Sequence, residues 1–402
     1  MNQTISKVFK SKFISNFLLS VILIGLASCG GGSATNSATQ NVTTVSTPAG
    51  IAEFTTLSLS NLANYAAPVL PAYFDATVGA LDNTPANNAV NDKVATLGRV
   101  LFYDKRLSIN DSISCSSCHQ QANGFDDPRR FSTGFSGTAF TSAHAMRLGN
   151  IKYYRPGTMF WDKRAASLEL QVTQPIAHPV EMGFDSAHGG ISALLTKLAA
   201  STYYPDLFTL AFGNAAITEA RIQQALAQFA RSMISSASRW DTAYAQVFNA
   251  TAQNRNLNAP LPGFSASEEL GHQLFMTGRG QGGAGCAACH QPPTFALAAN
   301  SLSNGLDANE TIIFKSPSLK NVGLSRAFMH DGRFSTLEQV IEHYNSGIQN
   351  GPALDNRLKT PAGAPLRLNL TANEKAALVA FLLTLNDGSL TTDAKFSDPF
   401  KK

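Results

Sequence analysis

A mainly α fold built from two homologous domains is what this 402-residue sequence predicts, and three observations carry that expectation. The pentapeptide Cys-x-x-Cys-His occurs twice, as CSSCH at 115–119 and CAACH at 286–290. A second string is also repeated: WDKRAASLE at 161–169 matches HDGRFSTLE at 330–338 at Asp, Arg, Leu and Glu, with Ser167 facing Thr336. From His119 to Trp161 is 42 residues and from His290 to His330 is 40, so the two repeats keep register with each other, as duplicated domains do. Finally, apolar side chains recur at helical intervals and no sustained period-two strand pattern appears.

Each helix has its own signal. Residues 93–104 (KVATLGRVLFYD) carry helix-spaced apolar side chains, and 218–234 repeats Ile222, Leu226, Phe229 and Met233 down one face. Ser265 with Glu268, and Thr371 with Glu374, have capping-box spacing and predict helix starts at LGHQLF and KAALVAFLLTL. Pro260, Pro262 and Gly263 mark a boundary, which divides the chain into domains at 51–258 and 259–402. Gly-, Pro- and Asn-rich loops fill most of the remainder. Trp240 reads as a large core anchor.

The N-terminus reads as a targeting segment rather than fold. Lys7, Lys10 and Lys12 precede the apolar run FLLSVILIGLAS, and Leu26-Ala27-Ser28-Cys29 resembles a bacterial lipobox, making 1–28 a lipoprotein signal peptide and Cys29 the lipidated first residue. An ordinary cleaved signal peptide and a single membrane anchor are the alternatives; the apolar run is short for a spanning helix. Gly30 after the cysteine resembles lipoproteins sorted to the outer membrane, which implies a periplasm-facing location. Residues 29–50 have the composition of a flexible tether. Removing the leader's three lysines from 31 basic residues leaves 28 against 27 acidic ones, a balance that argues against nucleic acid.

Of the five cysteines, Cys29 takes the lipid and the other four belong to the two pentapeptides, so none remains for a structural disulfide. Two cysteines one turn apart suit the two vinyl groups of one haem, and the following His faces its iron. Cys115, Cys118 and His119 thus predict one covalent c-type haem, and Cys286, Cys289 and His290 a second, each in a cytochrome c-like domain. Zinc or a thioredoxin-like redox pair is the competing reading, but zinc needs a fourth ligand at matching spacing and a redox pair does not need the His twice.

The chain resembles the bacterial di-haem cytochrome c peroxidases and their MauG-type relatives. The resemblance rests on LGRVLFYDKRLSINDSISCSSCH, on FWDKRAASLELQ with PIAHPVEMG, and on FKSPSLKNVGLSRAFMHDGRFSTLEQVIEHYNSG, and it runs from about Leu97 to Asp387. It implies a peroxide site at the first haem, with a Trp between the haems, a Gln ten residues on and a Glu ten beyond that. Trp161, Gln171 and Glu181 reproduce both intervals. Splitting hydrogen peroxide requires a proton carried from one oxygen to the other; Glu181 is the implied acid/base, Gln171 the orienting donor and Trp161 the electronic link.

Axial ligands set this chain apart from simple peroxidases. Where many members carry a ligating His after the first haem, the loop reads FSTGFSG with Phe135 in that place, which implies a first haem open without reductive activation. His144, further along, is either a substitute ligand or a packing residue. For the second haem the resemblance implies a Met or Tyr fourteen residues after His330, here Tyr344, a phenolate that favours the ferric state; Met329 and His343 are nearby alternatives. A calcium ion between the domains is also implied, on the carbonyls of Ser325 and Ala327, although His144 stands at the position of its Asn ligand and nitrogen suits that cation poorly.

Three functions follow from the resemblance. One is a peroxidase fed by a small cytochrome c or cupredoxin; another is a MauG-type enzyme that uses peroxide to oxidise Trp or Tyr of a partner protein; the last is a non-catalytic electron-transfer cytochrome. Only the last leaves the Gln and Glu spacing without a role. Family members often form homodimers.

Overall fold

Helical periodicity becomes helices where the sequence placed them. The computed structural model describes residues 46–402. Its helices that matter here are α1 (Asp92–Tyr103), α2 (Glu219–Arg231), α3 (Arg239–Val247), α4 (Ala266–Met276), α5 (Leu337–Glu342) and α6 (Ala372–Leu383). The Asn91 side chain accepts the Lys93 and Val94 N–H groups to start α1, and Thr218 accepts from Arg221 to start α2. Both expected capping boxes form, Ser265 with Glu268 on α4 and Thr371 with Glu374 on α6. Ile222, Leu226, Phe229 and Met233 are all buried, as a single apolar face requires.

Two crossings of the same design organise the core. At Gly98 of α1 a Cβ would lie 2.0 Å from the Ala225 carbonyl oxygen of α2, with the Phe229 Cβ next to it. At Gly271 of α4 a Cβ would lie 1.9 Å from the Ala377 carbonyl oxygen of α6, with the Phe381 Cβ next to it. Each crossing thus needs a residue without a side chain, because backbone meets backbone. The signal was present in the sequence as LGRVLF at 97–102 against LGHQLF at 270–275, a third repeat in register with the other two.

Smaller pieces repeat as well. Asn150 and Asn321 both take a left-handed conformation (φ 61° and 62°) before a 3-10 turn. Bridges pair Met159 with Ala165 and Phe328 with Phe334, and Ser167 and Thr336 cap the helices that follow. Sheet is confined to β1 (His290–Gln291) against antiparallel β2 (Ala296–Leu297); the bridge Gln120–Asp126 is its counterpart after the first pentapeptide.

Residues 46–402 belong to one compact unit with two main apolar cores. The first gathers α1 and α2, and also Leu390 and Phe396 from the C-terminal end. The second gathers α4, α5 and α6, and also Tyr73, Trp240 and Tyr244 from the N-terminal side of residue 258. Trp240 is fully buried and stacks on Tyr244 at 4.7 Å, the anchor role expected of it. A short helix, Ala49–Phe54, already includes the last two residues of the expected tether, because Ile51 is buried in the first core. The leader and Cys29 lie outside the described residues. Among those described, no helix is long and apolar enough to cross a membrane.

Replacing Gly98 or Gly271 by Ala should cost about 1–3 kcal/mol through forced separation of the crossing helices. Thermal unfolding measures it, with Gly280→Ala, where a Cβ meets nothing within 4 Å and which lines neither cavity, as the unchanged control.

Candidate active site

Both pentapeptides open onto cavities of ligand size, about 420 Å³ at Cys115, Cys118 and His119 and about 360 Å³ at Cys286, Cys289 and His290. The Cys115–Cys118 turn is begun by a capping box between Ser114 and Ser117. All four cysteines are free thiols. Burial pushes Cys115 and Cys286 up to about 12 and Cys118 to about 11, so the thiols stay protonated. Burial likewise lowers both imidazoles, His290 to about 4 with help from Arg147 and Arg357, and keeps them in the neutral form that binds metal. The His119 Nδ1 stands 3.3 Å from the Phe125 carbonyl, which leaves Nε2 as its free donor atom.

An Asp-x-Arg clamp fixes each cysteine turn. Arg129 pairs with Asp127 and donates to the Ser117 carbonyl at 3.0 Å; Arg357 pairs with Asp355 and donates to the Ala288 carbonyl at 2.7 Å. Ser117 and Ala288 are the same position of the pentapeptide. The strings DPR at 127–129 and DNR at 355–357 were visible, but one follows its pentapeptide closely and the other lies far beyond, so spacing did not connect them.

Trp161 lines both cavities, as do His144, Arg147, Phe314, Lys315 and His330. Its indole N–H donates to the His144 carbonyl at 2.7 Å, and the His144 N–H donates to the His330 carbonyl at 2.9 Å. Gln171 and Glu181 both reach the first cavity. Gln171 sits on the short helix Leu168–Val172 capped by Ser167. Glu181 is held by its backbone, whose carbonyl accepts from Phe135 at 2.9 Å. Burial raises its carboxyl above the usual range, against the pull of His178 and Arg164. His178 Nδ1 accepts the N–H groups of Val180 and Glu181 at 3.3 Å.

The repeat aligns Trp161 with His330, and the same count from each places Gln171 opposite Val340 and Pro175 opposite Tyr344. All four line the corresponding cavities. Proline offers no ligand atom where Tyr344 brings a hydroxyl. Tyr344 lies in a π-helical turn, His343–Gly347, directly after α5. Burial pushes its phenol up to about 12. The Asn304 amide nitrogen is 3.5 Å from the Tyr344 hydroxyl and 3.3 Å from the Met329 sulfur, so one side chain orients both. Asn304, Pro175 and the two clamps escaped the sequence reading.

Other expected ligands are engaged elsewhere. Phe135 packs its ring on Gly183 and does not line the cavity. His144 places Nδ1 3.2 Å from the Arg130 carbonyl and Nε2 3.1 Å from Asp126, which is the packing role. His343 turns its Nε2 to the Asn304 carbonyl at 3.2 Å.

Comparison with known proteins decides the family. Residues 92–247 and 265–379 match the family model described as di-haem cytochrome c peroxidase. The chain belongs to that family. Relatives include the methylamine utilization protein MauG of Methylorubrum extorquens, 32% identical over 75% of this chain and 80% of that one. Another is the cytochrome c551 peroxidase of Nitrosomonas europaea, 29% identical over 73% of this chain and 80% of that one. Among solved structures, a MauG-like protein associated with microbial copper homeostasis superposes with a TM-score of 0.65 at 31% identity, covering 84% of this chain and 99% of that one. As a family member the chain is a peroxidase-type oxidoreductase with two haems. The cavities fit them: each is walled mainly by apolar groups and carries the two cysteines and the histidine of one pentapeptide.

Calcium finds no such fit at Ser325. The Ser325 hydroxyl is already taken by the Arg147 guanidinium at 2.7 Å and by the Asp126 carboxylate, which offset each other's charge, and Ala327 lines the second cavity. No step below depends on calcium.

In the haem-loaded protein His144→Leu should leave the ferric absorption spectrum unchanged, while a lower unfolding midpoint reports the loss of a partner for buried Asp126, about 1–3 kcal/mol. A change of axial ligation in that spectrum is the contrary result.

Proposed function

We propose that this di-haem enzyme reduces hydrogen peroxide to water, taking two electrons singly from a small cytochrome c or cupredoxin. The observation that carries it is the convergence of Gln171 and Glu181 on the cavity of His119, with Trp161 in the wall shared with the cavity of His290. Cys115, Cys118 and His119 would hold the first haem, and Cys286, Cys289 and His290 the second, through two thioethers and one imidazole each. Bound haem supplies the iron centre and the one-electron chemistry. Glu181 accepts the proton from one peroxide oxygen and returns it to the other, the Gln171 amide orients the substrate, and the Trp161 indole conducts between the haems. Trp161 gives its N–H to a carbonyl, a poor base, so the indole keeps its proton while it relays an electron.

A second reading has a specific observation behind it. With no ligand atom at Pro175 and, at Tyr344, a phenol that as a ligand would favour the ferric state, peroxide would serve to withdraw electrons from Trp or Tyr of a partner protein, as the resemblance to MauG implies. Haem spectra recorded with peroxide alone, and with peroxide plus a reduced small cytochrome, separate the two. Sustained oxidation of the cytochrome supports the peroxidase; a persistent spectral change without cytochrome turnover supports the second reading. The resemblance of Leu26-Ala27-Ser28-Cys29 to a lipobox supports a periplasm-facing location for either enzyme, tethered through Cys29.

Glu181 must be ionised to accept a proton, and its carboxyl titrates above the ~4.3 of free glutamate. The peroxide reaction should therefore decline as pH falls through that raised value. Glu181→Gln should lose about 10²–10⁴-fold in rate, together with the acid limb, yet keep both haems; an unaltered rate–pH profile refutes the role. Tyr344→Phe should change the ferric spectrum and raise the potential of one haem, and identical spectra would remove Tyr344 as its ligand.

A further inference from the structure

Two lysines of this fold are almost wholly buried, and they are treated differently. Lys320, fully buried, has its counter-charge: its Nζ is 2.5 Å from Asp241. Lys315, 4% exposed, has none; among the described residues no carboxylate lies within ion-pair distance, and its ammonium meets only the Met159 sulfur at 3.6 Å and the Tyr154 ring face at 4.7 Å. An isolated buried ammonium is costly unless an anion joins it. Burial and nearby Lys163 accordingly depress its basicity, to about 8.

The position of Lys315 says which anion. Its own N–H donates to the Trp161 carbonyl at 2.6 Å, and its side chain lines both cavities. Arg147, the other buried cation that lines both cavities, lies 3.8 Å from buried Asp126, which offsets its charge from behind the wall. One positive charge is left over, facing the two spaces that take haem, and haem carries carboxylates on its propionate arms.

We propose that Lys315 is a haem-positioning residue whose ammonium pairs with a propionate carboxylate at the wall between the cavities. The ion pair holds the propionate edge of that haem toward Trp161 and stabilises its reduced iron by a nearby positive charge. This rests on the presence of two haems and on neither reading of the reaction.

Potentiometric titration of the haem-loaded protein at fixed pH tests it, with Lys315→Met, Lys315→Gln and Lys315→Arg. Met and Gln should lower the midpoint potential of one haem by at least a tenfold change in its ferric-to-ferrous ratio, ~59 mV for one electron; Arg should restore it. Whichever haem moves identifies the source of the carboxylate. If Met prevents assembly, the Gln and Arg pair decides the matter. Unchanged potentials for both haems in Gln or Met protein of full haem content overturn the proposal, as does an Arg variant that shifts as far as Gln, which would mean a packing role only. Peroxide turnover does not enter this measurement, so its outcome and that of the proposed reaction are independent.

Discussion

The main chain of His144 joins the two copies of the domain at their matching segments. Its carbonyl takes the indole N–H of Trp161, and its N–H goes to the carbonyl of His330, the residue that the repeat aligns with Trp161. Both bonds are at least partly buried, where an unmade one costs up to about 1–3 kcal/mol, which favours a single arrangement of the wall between the cavities. His144 is itself fixed from its side chain by Arg130 and Asp126, and Asp126 is bound in turn by the Ser325 hydroxyl from the other copy. Conduction through Trp161, the placement of Lys315 and the separation of the two haems all presuppose that wall.

Duplication explains why so much of the architecture occurs in pairs. The glycine crossings, the left-handed asparagines, the capped helices after residues 167 and 336 and the Asp-x-Arg clamps solve the same local problems twice. The clamps are the instructive case, because their place in the chain differs while their target carbonyl does not. A cysteine turn that must present two sulfurs and a histidine to one ligand needs its orientation fixed, and a guanidinium already paired with Asp supplies a rigid donor.

What was legible in the sequence was what is encoded locally. Helix starts depend on a cap and its third neighbour: α1 and α2 begin within one residue of the expected place, and α4 and α6 begin directly after the expected caps Ser265 and Thr371, three or four residues before LGHQLF and KAALVAFLLTL. The cysteine and histidine set was legible because the spacing of one helical turn carries the chemistry. Trp161, Gln171 and Glu181 were legible only through the intervals that the family resemblance implies, and the fold brings them to one cavity. Asn304 was not legible: nothing in its neighbourhood marks it, and its importance comes from two side chains 25 and 40 residues away. Nor was the role of His144, since the atoms that matter are backbone atoms that any residue possesses. Lys315 and Lys320 look alike in sequence; only the presence of Asp241 beside one of them separates structural from available charge.

Against this background of repetition, the positions that differ between the copies define function. A duplicated haem domain begins with two equivalent cavities, and equivalent cavities give no direction to electron flow. Substitution at two aligned places breaks the equivalence here. Gln171 against Val340 puts an amide on one wall and an alkyl group on the other, and Pro175 against Tyr344 puts a hydroxyl into the second cavity and none into the first. Glu181 then adds a titratable carboxyl to the side that lacks the ligand. The first cavity therefore has room and proton chemistry for a small substrate, whereas the second has a candidate ligand oriented by Asn304. Trp161 belongs to both, and it too is a difference, since its aligned partner His330 stacks on Phe314 at 3.8 Å instead of offering an indole. These departures from the repeat give the two cavities different chemistry, while the Asp-x-Arg clamp that fixes each cysteine turn stays the same.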